Sequence, residues 1–244
     1  MLNRGVIPSI CPSLILVGWL SLGPEGFTAP AEPPRILLDS SAQRSASAMG
    51  DSTAPTVSED GRLVVFVSAA GNLVTNDTNG SRLDVFAWNV VSRNLTLVSA
   101  NTNGVSGNGR SHSPAVSADG QVIAFVSEAS DLAPDDTNGI ADIFVRDLKN
   151  GKTRLASRAI GGGSANRESN PPVISSDGRY VFYESNATNS SAGPVGGWVN
   201  LFRADLNSGE TVLVSGVAPS LASRPPGDST PVESSEDGHG VLFL

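Results

Sequence analysis

Cysteine is all but missing from this chain. Cys11 is the only one in 244 residues, which excludes an intramolecular disulfide and leaves the body of the chain without thiolate chemistry. Histidine is nearly as scarce. His112 and His239 are the only two, and neither lies in a cluster with metal-ligand spacing. Basic residues number 16 against 24 acidic ones, for a net charge of −8. That charge disfavours nucleic acid and anionic membranes, and no nucleic-acid partner is expected. No Gly-x-Ser-x-Gly elbow, phosphate-binding loop or dinucleotide fingerprint occurs. Aromatics make up 5% and charged residues 16%, whereas glycine and proline number 26 and 16. This balance suits short strands and turns better than long helices.

The N-terminus has the pattern of an export signal. Arg4 is the positive start, Leu14–Leu22 an apolar core too short to span a bilayer, and Ala29 and Ala31 the small residues of a cleavage site. Residues 1–31 are therefore expected to be a signal peptide. The protein is expected to be exported, periplasmic or extracellular, with no stable membrane insertion once the signal is gone. Cys11 precedes the apolar core rather than following it, which argues against a lipid anchor.

Four phrases recur along the rest of the chain: VSEDGRLVVFVS, VSADGQVIAFVS, ISSDGRYVFYES and SSEDGHGVLFL. Their aspartates, Asp60, Asp119, Asp177 and Asp237, are spaced by 59, 58 and 60 residues. A fixed period of this length marks a repeat architecture. Within the second unit, PAVS and QVIAFVS flank an Asp-Gly turn, and DIFVRDL and TRLAS flank Asn-Gly, both strong hairpin signals. The first and third units repeat the four segments. A four-stranded antiparallel unit cannot bury both its faces alone, so neighbours must stack, and radial stacking makes a β-propeller.

The expected fold class is thus all-β, with four-stranded antiparallel blades of about 58–60 residues. The blades are placed at 52–99, 113–157 and 171–215, with part of a fourth at 230–244. Residues 35–40, RILLDS, read as a fourth strand without its own blade. The count is most simply that of an incomplete propeller, with the remaining strand supplied by further blades or by a partner chain.

At SPAVSADGQVIAFVS, residues 113–127, the chain resembles the WD-like β-propeller repeat of TolB-type periplasmic proteins. There a Ser-Pro-x-x-Ser-x-Asp-Gly-x-x-x-Ala-Phe phrase marks the first hairpin of each blade. The resemblance spans residues 35–244 and implies the propeller fold and an exported location. It does not reach TolB's separate N-terminal domain, so a role in the Tol envelope system is not implied.

Candidate chemistry is concentrated in two loops. NLVTNDTNGSRLDVF and DLAPDDTNGIADIF place Asp77, Asn79 and Asp84 in register with Asp136, Asn138 and Asp142. Two readings stand. Asp and Asn nucleate turns through their own backbone, and glycine supplies positive φ. The same residue types fit calcium, which needs six to eight oxygens around a permissive turn. Neither copy has the full EF-hand set, Asp135 is a spare acid in the second, and the third unit has Asn200 at the closing position. No other cofactor is expected.

The repeated Ser-x-Asp-Gly phrases are expected to be turns, since a catalytic group is needed once. His112 is expected in a linker, and His239 in the turn position held by Arg62, Gln121 and Arg179. Trp88, Trp198 and the recurring phenylalanines are expected to pack between blades. The linkers 100–112, 158–169 and 216–229 are expected to form one rim. The leading expectation is a non-enzymatic module that binds a protein or an envelope polymer. The alternatives are the N-terminal propeller of a larger hydrolase or peptidase, and a calcium-stabilised structural surface module.

Overall fold

The structure, a computed structural model, describes residues 47–192, 195 and 198–216, together with the backbone of strands 231–234 and 241–243. The expected signal, the strand at 35–40 and the turn bearing His239 lie outside the described residues. Among those residues every regular element is a strand, and no helix is long and apolar enough to cross a membrane.

Three four-stranded antiparallel sheets follow one another in chain order. The first blade comprises β1 (Ser52–Val57), β2 (Leu63–Ser68), β3 (Asp84–Asn89) and β4 (Leu95–Leu97). The second comprises β5 (Ser111–Val116), β6 (Val122–Ser127), β7 (Asp142–Asp147) and β8 (Lys152–Leu155). The third comprises β9 (Val173–Ile174), β10 (Tyr180–Ser185), β11 (Asn200–Asp205) and β12 (Thr211–Leu213). A further antiparallel pair, β13 (Pro231–Ser234) and β14 (Val241–Phe243), sets β13 against β9 and β10.

The Ser-x-Asp-Gly phrase folds the same way each time. Ser58 Oγ donates to Asp60 Oδ1 at 2.7 Å, Asp60 Oδ1 also accepts from the Arg62 amide, and the Leu63 amide donates back to Ser58 Oγ. Ser117 with Asp119 and Ser175 with Asp177 repeat all three bonds. Each closing glycine has φ near +70°, a conformation costly for any residue with a Cβ. These turns also join the blades, because the Glu59 amide bonds the Ala118 carbonyl and the Ala118 amide bonds that of Ser176.

The middle strands are buried on both faces in the second and third blades, and buried on one face and half-buried on the other in the first, which is why LVVFV, VIAFV and YVFY read as nearly unbroken apolar runs. Leu63, Val65 and Val67 face Ile123, Phe125 and Phe144 in one core cluster. Ala124, Val126, Ile143 and Val145 face Val181, Tyr183 and Phe202 in the next. Each blade also carries one stacked aromatic pair at the same repeat position: Phe66 with Phe86, Phe125 with Phe144, and Tyr183 with Phe202, at 5.7–6.1 Å between ring centres. Adjacent large and small side chains interlock here as they must at interior packing density.

Three details depart from the sequence expectation. β5 begins at Ser111, so His112 is a strand residue opposite Val126 rather than part of a linker. A bulge explains the earlier start: the register shifts between His112 and Ala115, with Ser113 at φ 52° and Ala54 at φ 50° at the matching point of β1. The third unit has Pro171 there, whose ring holds φ negative, and β9 shrinks to two residues. Trp198 is 49% exposed rather than packed between blades, whereas the phenylalanines at 86, 125, 144, 182 and 202 are buried.

Candidate functional site

In an antiparallel blade the loop after the second strand and the linker after the fourth leave by the same end. The two Asp-Thr-Asn-Gly loops and the inter-blade linkers therefore share one rim, and the Ser-x-Asp-Gly turns lie on the other.

The linkers 100–112 and 158–169 are each bonded to the blade before and the blade after; residues 217–229 of the third linker lie outside the described residues. Ser106 Oγ accepts from the amides of Thr78 and Asn79, and Asn76 Nδ2 donates to the Gly104 carbonyl. Asn108 then reaches forward: its amide donates to Asp131 Oδ1 and its Nδ2 to Ser130 Oγ. One blade later, Ser164 Oγ accepts from the Thr137 amide, and Asn166 bonds Thr188 and Asn189. Gly161, Gly162 and Gly163 form a bonded turn with φ between 77° and 101°.

The candidate acids lie beneath this lacing. Asp84 and Asp142 are fully buried at the start of their third strands. Ser99 Oγ donates to Asp84 Oδ1 at 2.6 Å and accepts from the Val85 amide. Ser157 does the same for Asp142 Oδ1 at 2.5 Å and the Ile143 amide. Asn79 Nδ2 donates to Asp84 Oδ2 and to the Gly107 carbonyl. Asn138 Nδ2 donates to the Ala165 carbonyl. Asp77 and Asp136 are 9% and 6% exposed, and Asp136 Oδ1 accepts from the Asn138 amide. Each predicted trio is thus brought together. Asp135, the spare acid of the second loop, is paired with Arg158 Nη1 at 2.5 Å.

Burial dominates the electrostatics. It pushes the Asp84 carboxyl up to about 6 and that of Asp142 up to about 7, only partly opposed by the serine and asparagine donors and reinforced by the neighbouring Asp77 or Asp136. In the third blade Ser215 Oγ donates to Asn200 Oδ1 at 3.3 Å and accepts from the Leu201 amide. The hydrogen-bond scheme survives there without the charge.

The sequence reading missed the four serines that build these sites, Ser99, Ser157, Ser106 and Ser164. A signal for the first pair was present, since LTLVS, TRLAS and TVLVS each end in serine. Ser157→Ala is expected to cost about 1–3 kcal/mol, because it strips a buried carboxylate oxygen and an amide of their partner. Ser215→Ala should cost less, as its acceptor is neutral. Urea midpoints of the two variants measure the difference.

His112 is half-buried, with Nδ1 2.9 Å from Ser113 Oγ, and its pKa is lowered, first by burial and then by Arg110. Among the described residues there is no group of three or more His, Cys, Asp or Glu arranged to hold a metal.

Four-stranded antiparallel blades, packed face to face in chain order, define a β-propeller. Over 80% of this chain, at 15% identity and a TM-score of 0.50, it is similar to the β-propeller domain of the Trilobed protease from Pyrococcus furiosus, described as having an open velcro topology. Over 80% of the chain, at 16% identity and a TM-score of 0.48, it is similar to TolB from Acinetobacter baumannii, and over 77%, at 18% and 0.47, to a putative TolB from Agrobacterium tumefaciens. The chain spans 48%, 37% and 51% of the lengths of those three structures. Neither a family model nor a curated protein matches it.

Proposed function

We propose that this propeller is an exported, non-enzymatic binding module that presents its linker rim to a protein or an envelope polymer. The construction of the rim carries the reading. Linkers bonded to two blades at once are ordered before a partner arrives, so association does not have to overcome the entropy of fixing them. From this ordered surface Ile160 and Trp198 project, 57% and 49% exposed, and large apolar anchors on a polar rim are what binding hot spots use. Beside Ile160 a groove of about 890 Å³ runs between residues 158–162 and β12. The export pattern of residues 1–31 and the TolB-type blades support an envelope or extracellular setting.

The second reading, the propeller of a larger hydrolase, draws on the likeness to a propeller domain of a protease. Two measurements separate them. A photocrosslinking residue at position 160, in envelope extracts of the source cell, is expected to give one discrete adduct, or else the protein is expected to sediment with purified peptidoglycan sacculi. Ile160→Asp with Trp198→Ala should weaken the interaction at least about tenfold, the scale of one lost hot spot. No adduct and no sedimentation would overturn the proposal. Peptide hydrolysis by the product of the complete gene would establish the second reading instead.

A further inference from the structure

The two Asp-Thr-Asn-Gly loops contain buried oxygens that no donor among the described residues satisfies. In the first, Asp77 Oδ1 and Asn79 Oδ1 have no partner. In the second, Asp136 Oδ2 and Asp142 Oδ2 have none. Polar atoms withdrawn from water without a partner are strongly unfavourable, and carboxylate oxygens most of all. Here the defect occurs twice, in the matching loops of two blades; Asp77, Asp136 and Asp142 are each at most 9% exposed, and Asn79 is half-buried.

The local donors are already used. Ser157 is committed to Asp142 Oδ1 and Ser99 to Asp84 Oδ1. Arg158, the nearby cation, is held by Asp135. Each loop therefore brings together two carboxylates, an amide oxygen and a glycine turn, a set of hard oxygens carrying two negative charges. A divalent cation matches that charge, and calcium accepts carboxylate, amide and backbone oxygens in irregular geometry with water filling the shell.

The third blade is an internal control. It replaces the closing acid with Asn200, keeps the serine bond, and buries no carboxylate at this point.

We propose that each loop is a calcium site, with Asp136 and Asp142 as side-chain ligands in the second blade and Asp77 and Asn79 in the first. The Asn138 backbone amide holds Asp136 in place, and Asp84 orients Asn79 through its side-chain amide. The second site, with two direct carboxylates, binds more tightly. The ions tie the β2–β3 and β6–β7 loops to the linkers above them, independently of what the rim binds.

The test is titration calorimetry of chelator-stripped protein with CaCl₂ at constant pH, paired with melting curves. Two Ca²⁺ per chain are expected. At a hundredfold excess over Kd each site should raise Tm by roughly 5–10 °C. Asp142→Asn, which copies Asn200 and retains the Ser157 bond, should abolish the tighter site and leave one. Asp77→Asn added to it should leave none, and calcium should then no longer shift Tm. Should Asp142→Asn fail to fold, Asp136→Asn removes the same site without touching the Ser157 bond.

Absence of binding and of a Tm shift in the unmodified protein up to about 10 mM Ca²⁺, beyond the weakest extracellular calcium modules, would overturn the proposal. Stoichiometry unchanged by both loop variants would also overturn it.

Discussion

Phe144→Ala is expected to destabilise the protein by about 3–5 kcal/mol, the usual cost of emptying a buried phenylalanine site. Phe144 is fully buried and stacks on Phe125 at 6.1 Å within the cluster shared by the first and second blades. Removing its ring takes packing from both sheets, and neither can close the gap without moving as a whole. In urea the midpoint should fall with the loss of stability, and the slope should stay near that of the unmodified protein if all blades unfold together. Phe144→Leu, which leaves a smaller void, should cost well under half as much. A Phe144→Ala penalty under about 1 kcal/mol, the range of a surface change, would mean that the blades do not pack face to face at this residue.

The second large effect concerns a turn. Gly178→Ala is expected to cost about 2–4 kcal/mol, the sum of a left-handed backbone penalty and overpacking. A Cβ at Gly178, with φ +71°, would lie 3.0 Å from Val122 Cγ2 and 3.2 Å from Ser117 Cβ, both on the preceding blade. Gly61 occupies the same turn position in the first blade with φ +69° and has nothing within 4 Å of such a Cβ. Gly61→Ala should therefore pay the backbone penalty alone, about 1–2 kcal/mol. The difference between the two measured by chemical denaturation isolates the contact between turns of successive blades. Equal costs would show that the contact contributes nothing.

Much of the fold was legible because its determinants are local. The Ser-x-Asp-Gly turn closes with bonds between residues no more than five apart, so each copy carries its own instructions wherever it falls in the chain. Asn200 in place of Asp142 likewise announced that the blade tolerates loss of the acid. The candidate site was legible only as residue types. Ser106 and Ser164 bond loops 27–28 residues earlier, and a serine in a Gly- and Asn-rich linker has no pattern that picks its partner. Asp135 looked as available as Asp136 until the fold placed Arg158 against it. His112 and Trp198 were misplaced for related reasons: a bulge extended one strand toward its start, and no neighbouring blade covers the other ring among the described residues.

The sequence by itself determined the period, the turns, the four-strand unit and the need for stacking, because hydrogen bonds and φ preferences within a few residues settle those features. Only the tertiary structure decided which face of each strand meets which blade, which serines serve which acids, and that oxygens in both Asp-Thr-Asn-Gly loops are buried without donors. Those outcomes depend on groups far apart in the chain being brought into a dry interior, where the cost of an unpaired charge is set by everything that surrounds it.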